Sequence, residues 1–523
     1  MKRPLSAGSS VHSISKEDPR MAQRPKSSQV SHLTGIQIDR GNDIPLYWQF
    51  YLELKRLLLT GAIQTGDALP SARSLAREFS CSRHTVATAF EYLQAEGLLS
   101  SSQGVGTFVV DTGTKPVAAA ATSVARQPIT ISRFAQRLAE KQTGRDEQDP
   151  LQTFGIPDAG SFPFGQWTKA YANVWRDPSP ALRTRIDHQG FVELRQSICK
   201  LLHRTRGITA SPENVLITSG TTQSLYLLVQ LLLEPGAQVV IEDPGRPKVE
   251  ALLRASEIAV HAWPVDQEGL QLQKLEPPNN AIKAVIVTPS HHYPTGASLS
   301  LQRRLTLLDW AHRNNNWIFE DDYDGEILAD GKPVAPLYSL GQSDRVVYMG
   351  TFSKSIHPQL RLGYIVARPD LIRELIKVRY YIDYFPSTHL QPVLANFIDD
   401  GSLERHLRKM RRLYRDRQNA FIGELRRQDP GFFLLSEFAP TLFLPLHFAA
   451  GADFVDDTVV AGQVRAASIP CFGLSSFYTS TPPDEGLIVG TSRLEAGDAS
   501  TNVALILRAM AKAQSDCRRQ VFT

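Results

Sequence analysis

The sequence predicts two domains of different class, a small α+β domain near the N-terminus and a larger α/β domain with a mainly parallel sheet. The chain has 523 residues, more than a single hydrophobic core normally organises. Between residues 44 and 111, short helical patterns precede a Gly-containing pair of strands. Beyond residue 150, short apolar strands alternate with helices, which is the pattern of a parallel sheet. Six strands are predicted, at 215–218, 239–242, 284–288, 317–320, 346–349 and 363–366.

Composition and charge restrict the classes of protein that fit the chain. The formal net charge is only +4, so affinity for nucleic acid requires a local basic surface. The longest apolar stretches, such as residues 227–233, are too short to cross a bilayer, and no apolar signal-peptide core is visible. The four cysteines are scattered without a CxxC pair, which argues against a disulfide framework or a zinc site. We therefore expect a cytoplasmic protein with no membrane partner and no metal.

Two segments of low apolar content flank the first domain. The N-terminal segment is rich in Ser, Lys, Arg and Gln and is predicted to be disordered, and the sequence does not decide between Met1 and Met21 as its start. The second segment is predicted to be a linker with one helix near Ser132 to Glu140. The predicted boundaries are a tail at 1–43, a first domain at 44–111, a linker at 112–150 and a second domain at 151–523.

The first domain contains three predicted helices. An apolar stripe with a spacing of three or four residues predicts a first helix that ends near Gly61; its members are Leu46, Phe50, Leu54, Leu57 and Leu58. Ser71 is placed to cap a second helix after Pro70, and Ser82 is placed to cap a third helix that ends at Gly97.

The short turn between the second and third helices is typical of a helix-turn-helix unit, whose second helix enters the DNA major groove with its N-terminal residues. Here these residues are Arg83, His84 and Thr85. Gly104 and Gly106 then lie in a run compatible with β-structure, which predicts a tight hairpin.

The run LPSARSLAREFSCSRHTVATAFEYLQAEGLL, followed by QGVGTFV, resembles the winged helix-turn-helix of GntR-type regulators over residues 44–111. The resemblance implies that Arg73, Arg83 and Thr85 contact DNA phosphates or bases, and that the turn from Gly104 to Gly106 lies at the minor groove. Ser102 stands where such wings often carry a basic residue, which weakens the implied wing contact. The alternative is a helical bundle with solvated arginines.

The strongest chemical signal of the second domain is the run GTFSK at 350–354, directly after a predicted strand at 346–349. A lysine amine at a strand end, accompanied by hydroxyl groups and followed by Arg361, suits a phosphorylated aldehyde cofactor. Lys354 would form the Schiff base with it. The phosphate would be bound by Thr351, Ser353 and Arg361.

Two further runs at predicted strand ends point to the same cofactor. Asp321, in the run EDDY at 320–323, is a candidate partner for a pyridine nitrogen. The run SGTTQ at 219–223 places the backbone N–H groups of Gly220, Thr221 and Thr222 at a helix N-terminus, where they suit a phosphate. Taken singly, such runs usually represent a solvated lysine, a turn or an ordinary helix start. Their occurrence together at strand ends predicts one site.

Together these motifs resemble the fold type I aminotransferases, and the fusion to a GntR-type domain resembles the MocR/GabR subfamily of regulators. The resemblance covers about residues 44–515, and its further marks are FGIPDAGSFPFGQW, DHQGFVELRQSI, TPSHHYPTG, EDDYDGEI, GTFSKSIHPQLRLGY and HLRKMRRLYRDR. It implies pyridoxal 5'-phosphate (PLP) on Lys354, with Asp321 at the pyridine nitrogen and Tyr323 at the phenolic oxygen.

Three positions depart from the family pattern. Arg246 stands where the subfamily usually has an aromatic residue that stacks on the cofactor ring, although a guanidinium can stack as well. Tyr293 replaces the asparagine of true aminotransferases, as it often does in the subfamily. Ile488 aligns with the arginine that grips a substrate carboxylate, unless Arg493 takes that role.

Two other patterns favour ordinary structural roles. The basic run 405–417 has an apolar face at helical spacing and is predicted to be a solvated helix rather than a nucleic-acid patch. His291 and His292 lack a third metal ligand at useful spacing and are predicted to be pocket or core histidines.

The sequence thus favours a PLP-dependent transcription regulator that binds a double-stranded DNA operator as a homodimer and senses an amino compound, or PLP itself, through a Lys354 aldimine. Transaminase turnover is expected to be absent or weak. One alternative is an active aminotransferase with a DNA-binding arm, against which Ile488 and Tyr293 count. A second is a regulator whose aminotransferase-like domain is an inactive scaffold, against which Lys354, Asp321 and Arg361 count.

Overall fold

The structure is a computed structural model that divides into two compact units, residues 1–129 and 130–523. It describes residues 33, 35–102, 105–111, 129–140, 155–179, 182–183, 187–272, 281–327, 335–341, 343–434, 441–449, 456–480 and 484–521. Within these ranges, no helix is long and apolar enough to cross a membrane.

The first unit is a winged helix-turn-helix. Its elements are the helices Leu46–Leu59 (α1), Ala72–Glu78 (α2) and Arg83–Ala95 (α3) and the strands Ala68–Leu69 (β1), Leu99–Ser102 (β2) and Gly106–Val109 (β3). Strand β3 pairs antiparallel with both β1 and β2, so β2 and β3 form the predicted wing. Ser71 Oγ accepts a hydrogen bond from the Ser74 N–H, and Ser82 Oγ accepts one from the Thr85 N–H. Both predicted caps and all three predicted helices are confirmed.

Residues 35–43 differ from the predicted disordered tail. Ile36 and Ile38 pack, together with buried Leu33, against the apolar core of the first unit. Arg40 Nη2 donates to two carbonyl oxygens just after α2, at 2.9 and 2.7 Å. A segment too poor in apolar residues to fold by itself can still dock on a core that other residues have formed. The rest of the predicted tail up to residue 32, and Gly104 in the wing, lie outside the described residues.

The second unit is built on an eight-stranded sheet among the described residues. The strands are Val215–Thr218 (β4), Gln238–Asp243 (β5), Ala259–Asp266 (β6), Gly269–Leu270 (β7), Ile282–Val287 (β8), Trp317–Asp322 (β9), Val346–Thr351 (β10) and Gly363–Val366 (β11). Their order is β4-β11-β10-β9-β8-β5-β6-β7, and the pairs from β10 through β9, β8 and β5 to β6 are parallel. Strand β11 runs antiparallel to both of its neighbours. The mainly parallel sheet and its six predicted strands are confirmed.

The helices of the second unit pack against this sheet or against a smaller C-terminal sheet. In chain order they are Arg133–Glu140 (α4), Phe164–Arg176 (α5), Val192–Arg206 (α6), Thr221–Leu232 (α7), Pro247–Ala255 (α8), Leu301–Arg313 (α9), Phe352–Ser355 (α10), Pro369–Ile382 (α11), Gln391–Asp399 (α12), Ser402–Gln428 (α13), Asp457–Ala466 (α14) and Ala499–Val521 (α15). Successive strand residues such as Leu216 and Ile217 belong to two different apolar clusters. The sheet is therefore buried on both faces, which explains why its strands are continuously apolar.

A second, antiparallel sheet lies near the C-terminus. Its strands are Phe433–Leu434 (β12), Leu444–Phe448 (β13), Cys471–Gly473 (β14) and Gly486–Val489 (β15), in the order β12-β13-β15-β14. It packs with α14 and α15 around a third apolar cluster. The sequence did not predict this sheet.

Two predicted helices are confirmed in the second unit. Helix α4 falls inside the predicted linker, and Arg137 Nη1 forms a 2.9 Å ion pair with Glu257 Oε1, just beyond α8. Helix α13 contains the basic run and buries Leu403, Leu407 and Met410 on its apolar face. The arginines of that run therefore belong to an amphipathic helix.

Candidate functional site

The site lies where the carboxyl ends of parallel strands meet at one edge of the large sheet, the usual position for ligands in open α/β sheets. Asp321 is the fifth residue of β9 and pairs with Met349 of β10. Lys354 lies in the short helix α10, which follows β10 directly, and Gly220 precedes α7. Strand order thus brings together three runs that are far apart in sequence.

A cavity of about 220 Å³ opens at this edge. Every residue that the sequence assigned to the cofactor lines it: Gly220, Thr221, Thr222, Arg246, Tyr293, Asp321, Tyr323, Thr351, Ser353, Lys354 and Arg361. Lys248, two residues after Arg246, lines it as well.

Lys354 lies in surroundings that favour a neutral amine. Its Nζ donates to the backbone oxygen of Gly155 at 2.6 Å. Burial, followed by the positive charge of Arg246, lowers the pKa of Lys354 to about 8. The neutral form of a lysine is the nucleophile, so this environment prepares Nζ to bond to an aldehyde.

The start of α7 and Arg361 form an anion cradle. Gly220 has φ +126°, and a Cβ added there would lie 3.8 Å from both terminal nitrogens of Arg361. Ser353 Oγ is buried without a hydrogen-bond partner within the described ranges. Free N–H groups at a helix N-terminus, a guanidinium and a hydroxyl are donors that suit a phosphate.

Asp321 and Arg246 form an ion pair on the cavity wall. Arg246 Nη1 lies 2.7 Å from Asp321 Oδ2. The guanidinium carbon lies 4.3 Å from the ring centre of Tyr323 and 5.0 Å from that of Tyr293. Burial raises the pKa of the Asp321 carboxyl, and the Arg246 charge opposes that rise. Asp321 Oδ1 is buried and has no hydrogen-bond partner in the described part of the chain.

These groups fit PLP, the cofactor that the aminotransferase fold implies. The anion cradle suits the phosphate, and the unsatisfied Asp321 Oδ1 is an acceptor for a ring N–H. Lys354 supplies the amine that an aldehyde requires. Among the described residues, no group of three His, Cys, Asp or Glu side chains is placed to hold a metal ion.

Sequence reasoning placed His291 in the pocket or core, which the structure confirms, but it missed the partners of His291 and the pair of Arg206 with Asp322 behind the site. His291 Nδ1 lies 2.9 Å from the Tyr323 hydroxyl and 2.8 Å from Asp324 Oδ2. Arg206 Nη2 forms a 2.8 Å ion pair with Asp322 Oδ2, and both side chains are almost completely buried. The SHHYP and EDDYD runs contained His291, Asp322 and Asp324, but only the tertiary structure shows their partners.

Neither Ile488, aligned with the carboxylate-gripping arginine, nor Arg493, the candidate to take over its role, is among the described residues that line the cavity. Ile488 is completely buried, in the apolar cluster that also contains Phe443 and Phe477. Arg493 is exposed. The cations that do line the cavity are Arg246, Lys248, Lys354 and Arg361.

The predicted DNA-contacting residues lie on the first unit. Arg73 on α2 and Arg83 and His84 in the first turn of α3 are exposed. Thr85 is half-buried, and its hydroxyl lies 2.8 Å from Ser82 Oγ, so it takes part in the helix cap. Gly106 has φ +133° at the start of β3.

Comparison with known proteins agrees with both units. The family of bacterial regulatory proteins of the gntR type matches residues 46–109, and aminotransferase class I and II matches residues 158–452. The probable rhizopine catabolism regulatory protein MocR of Rhizobium meliloti is 32% identical over 88% of this chain and 92% of its own length. The HTH-type pyridoxine biosynthesis transcriptional regulator PdxR of Corynebacterium glutamicum is 32% identical over 84% of this chain and 90% of its own.

Solved structures resemble the second unit. LysN, the α-aminoadipate aminotransferase of Thermus thermophilus, superposes with a TM-score of 0.65 at 21% identity, over 74% of this chain and 98% of LysN. The kynurenine aminotransferase of Pyrococcus horikoshii gives a TM-score of 0.62 at 22% identity, over 73% of this chain and 95% of its own. These likenesses show the aminotransferase fold.

Fold and pocket together define a class of protein in which a DNA-binding winged helix is joined to a PLP-type aminotransferase domain. The chain belongs to the aminotransferase class I and II family and, within it, to the MocR/GabR subfamily of GntR-type transcription regulators.

Proposed function

We propose that this protein is a regulator that holds PLP on Lys354 and changes its affinity for an operator when an amino compound, or PLP itself, enters the pocket. The observation that carries the proposal is one cavity that contains Lys354, Asp321, Arg361 and the N-terminus of α7. The winged helix supplies the DNA contact, with Arg73, Arg83, His84, Thr85, Gly104 and Gly106 as the proposed contacting residues.

The pocket residues have distinct roles in this proposal. Bound PLP supplies an aldehyde for amines and an electron-withdrawing ring. Arg361, Ser353 and the first turn of α7, with Thr351, Thr221 and Thr222, hold the phosphate. Asp321 Oδ1 would face the ring nitrogen, and Tyr323 would donate to the phenolic oxygen. His291, itself held by Asp324, would position the Tyr323 hydroxyl.

The positions of Ile488 and Arg493 bear on the nature of the effector. Buried Ile488 and exposed Arg493 offer no guanidinium to an α-carboxylate from the expected side. An ordinary amino acid then lacks a charge-assisted pair that contributes about 1.5–3 kcal/mol. The relative PdxR is named for pyridoxine biosynthesis, which supports PLP itself as one candidate signal.

Homodimer formation is supported by an exposed aromatic patch at the end of α11. Tyr380, Tyr381 and Tyr384 lie there beside His188, and Tyr381 is 88% exposed. Aromatic residues are enriched in protein interfaces, and a second copy is the proposed partner. Two-fold symmetry would present two winged helices to repeated half-sites. Sedimentation of the full chain tests this assembly.

The test of cofactor attachment uses absorbance and borohydride. The purified protein is expected to be yellow, and borohydride should bleach the visible band and fix the cofactor on Lys354, as peptide mass analysis will show. The Lys354→Ala protein should lose the band on dialysis. Lys248→Ala, which removes another cavity cation, is the matched control and should keep it. A Lys354→Ala protein that retains the band would refute the assignment.

The intact set of Lys354, Asp321 and Arg361 favours an active aminotransferase as the second candidate function. Mixing the protein with a panel of amino acids while following the cofactor spectrum separates the two. Conversion to the pyridoxamine form at about 1 per second or faster would favour the enzyme. Spectral change without turnover, accompanied by changed operator affinity, would favour the sensor.

A further inference from the structure

The ion pair between Arg246 and Asp321 places a permanent positive charge beside Asp321, the carboxylate proposed to face the cofactor's ring nitrogen. Arg246 Nη1 occupies Asp321 Oδ2 at 2.7 Å, while Oδ1 has no hydrogen-bond partner among the described residues. A guanidinium does not deprotonate in proteins. The Asp321 carboxylate can therefore accept from two cationic donors, Arg246 and a protonated ring nitrogen. Arg246 belongs to the chain and is always present.

We propose that Arg246 suppresses turnover at the cofactor by binding one oxygen of Asp321 and so lowering the protonation of the ring nitrogen. The pocket then binds an amine without converting it. The inference rests on the proposed PLP site. It assigns Arg246 as a tuning residue of that site, where an aromatic residue would stack without adding charge.

The physical reason is charge competition. A protonated ring nitrogen is a strong electron sink, and an ionised partner stabilises its proton. A second cation within a few ångströms disfavours that proton. The flanking rings of Tyr293 and Tyr323 hold the guanidinium in place, because its carbon lies 5.0 and 4.3 Å from their centres.

Most other charged groups near the Arg246–Asp321 ion pair have hydrogen-bonding or oppositely charged partners of their own. Asp322 is paired with Arg206, and Asp324 lies 2.8 Å from His291. Lys354 also faces Asp321, and it donates to the Gly155 carbonyl. Glu242 faces both Arg246 and Asp321, and burial raises its pKa to about 7. Arg246 is therefore the cation in direct contact with Asp321 within the described residues.

The test measures the state of the nitrogen directly. The full chain is loaded with PLP carrying ¹⁵N in the ring, and its NMR shift is followed against pH. The wild-type nitrogen is expected to be mostly unprotonated near neutral pH. Arg246→Met should raise the protonation midpoint by roughly one to two pH units, the effect expected of one charge-assisted contact. Lys248→Met, which removes a neighbouring cavity cation, should give a clearly smaller shift.

A second readout is turnover. With a panel of amino acids, Arg246→Met should convert the cofactor at least about 10-fold faster than wild type, which is the factor given by one pH unit. A wild-type nitrogen that is fully protonated near neutral pH would overturn the inference, even if the variant failed to fold. Equal midpoints in wild type and Arg246→Met would overturn it too. Cofactor absent from Lys354 would overturn the proposed function together with this inference, whereas a protonated nitrogen on correctly attached cofactor would overturn this inference alone.

Discussion

Glu242, the fifth residue of β5, is a buried carboxyl whose protonation should set part of the pH dependence of stability. Both of its oxygens lie 3.0 Å from the Thr288 N–H, and Oε2 also accepts from the Thr288 hydroxyl at 2.6 Å. Burial outweighs these hydrogen bonds and raises the pKa of Glu242 from 4.5 to about 7. Glu242→Gln preserves the size of the side chain, accepts from the Thr288 N–H and can donate to its hydroxyl.

The direction of the effect follows from proton linkage. Below about pH 4.5 the carboxyl is neutral in both the folded and the unfolded state, so its contribution to stability is fully present. As the pH rises to about 7, the unfolded chain releases the proton and the folded chain keeps it, so the free energy of unfolding falls. At about 1.4 kcal/mol for each pH unit, the loss is about 3 kcal/mol, and it levels off above pH 7.

We therefore expect the free energy of unfolding of Glu242→Gln, measured relative to that of wild type, to rise by about 3 kcal/mol from about pH 5 to about pH 8. Urea unfolding of the full chain, followed by Trp fluorescence at both pH values, measures this difference. His292 Nε2 lies 3.7 Å from Glu242 Oε2, and burial lowers the pKa of His292 to about 3, so its ring stays neutral in the folded protein across this pH range. Glu374→Gln, at an exposed side chain paired with Lys377, is the control and should leave the difference within a few tenths of a kcal/mol. Parallel pH curves for wild type and Glu242→Gln would refute the reasoning.

Two further predictions concern the DNA-binding helix α3 and the close packing of Gly363 beside the anion cradle. Arg83→Ala should weaken operator binding by about 1–3 kcal/mol at fixed salt if Arg83 contacts a base, as fluorescence anisotropy can measure. Arg56→Ala, at an exposed residue paired with Glu53, is the control, and unchanged affinity of the Arg83 variant would remove that residue from the interface. Gly363→Ala places a Cβ 2.7 Å from Gly220 Cα and 2.9 Å from the Gly350 oxygen, so it should cost about 1–3 kcal/mol of stability and weaken PLP binding. Gly423→Ala, inside α13 with nothing within 4 Å, should instead stabilise by about 0.5–1 kcal/mol; a Gly363 variant with normal melting temperature and PLP affinity would contradict the packing argument.

Local patterns of the sequence determined the first unit almost completely. The spacing of Phe50, Leu54 and Leu57 and the capping serines Ser71 and Ser82 predicted helices that the structure confirms. These signals are local, since a helix needs neighbours three or four residues apart and a hydroxyl at its start. The missed docking of residues 35–43 depends instead on a core that other segments form.

The same contrast holds for the second unit. Apolar runs bounded by chemical motifs predicted six strands and the residues Lys354, Asp321 and Arg361, because parallel strands bring their carboxyl ends to one edge. The short strands of the C-terminal sheet, such as Cys471–Gly473, gave too little periodicity to predict.

The sequence by itself identified the charged and hydroxyl-bearing residues that line the pocket, and only the tertiary structure decided their partners and the apolar lining between them. Arg246 was predicted as a substitute for a stacking ring, and its contact with Asp321, 75 residues away in sequence, appeared only with the fold. His291 against Asp324 and Arg206 against Asp322 are pairs of the same kind. The physical reason is that a charge finds its partner through space, across strands and helices whose packing no local pattern specifies.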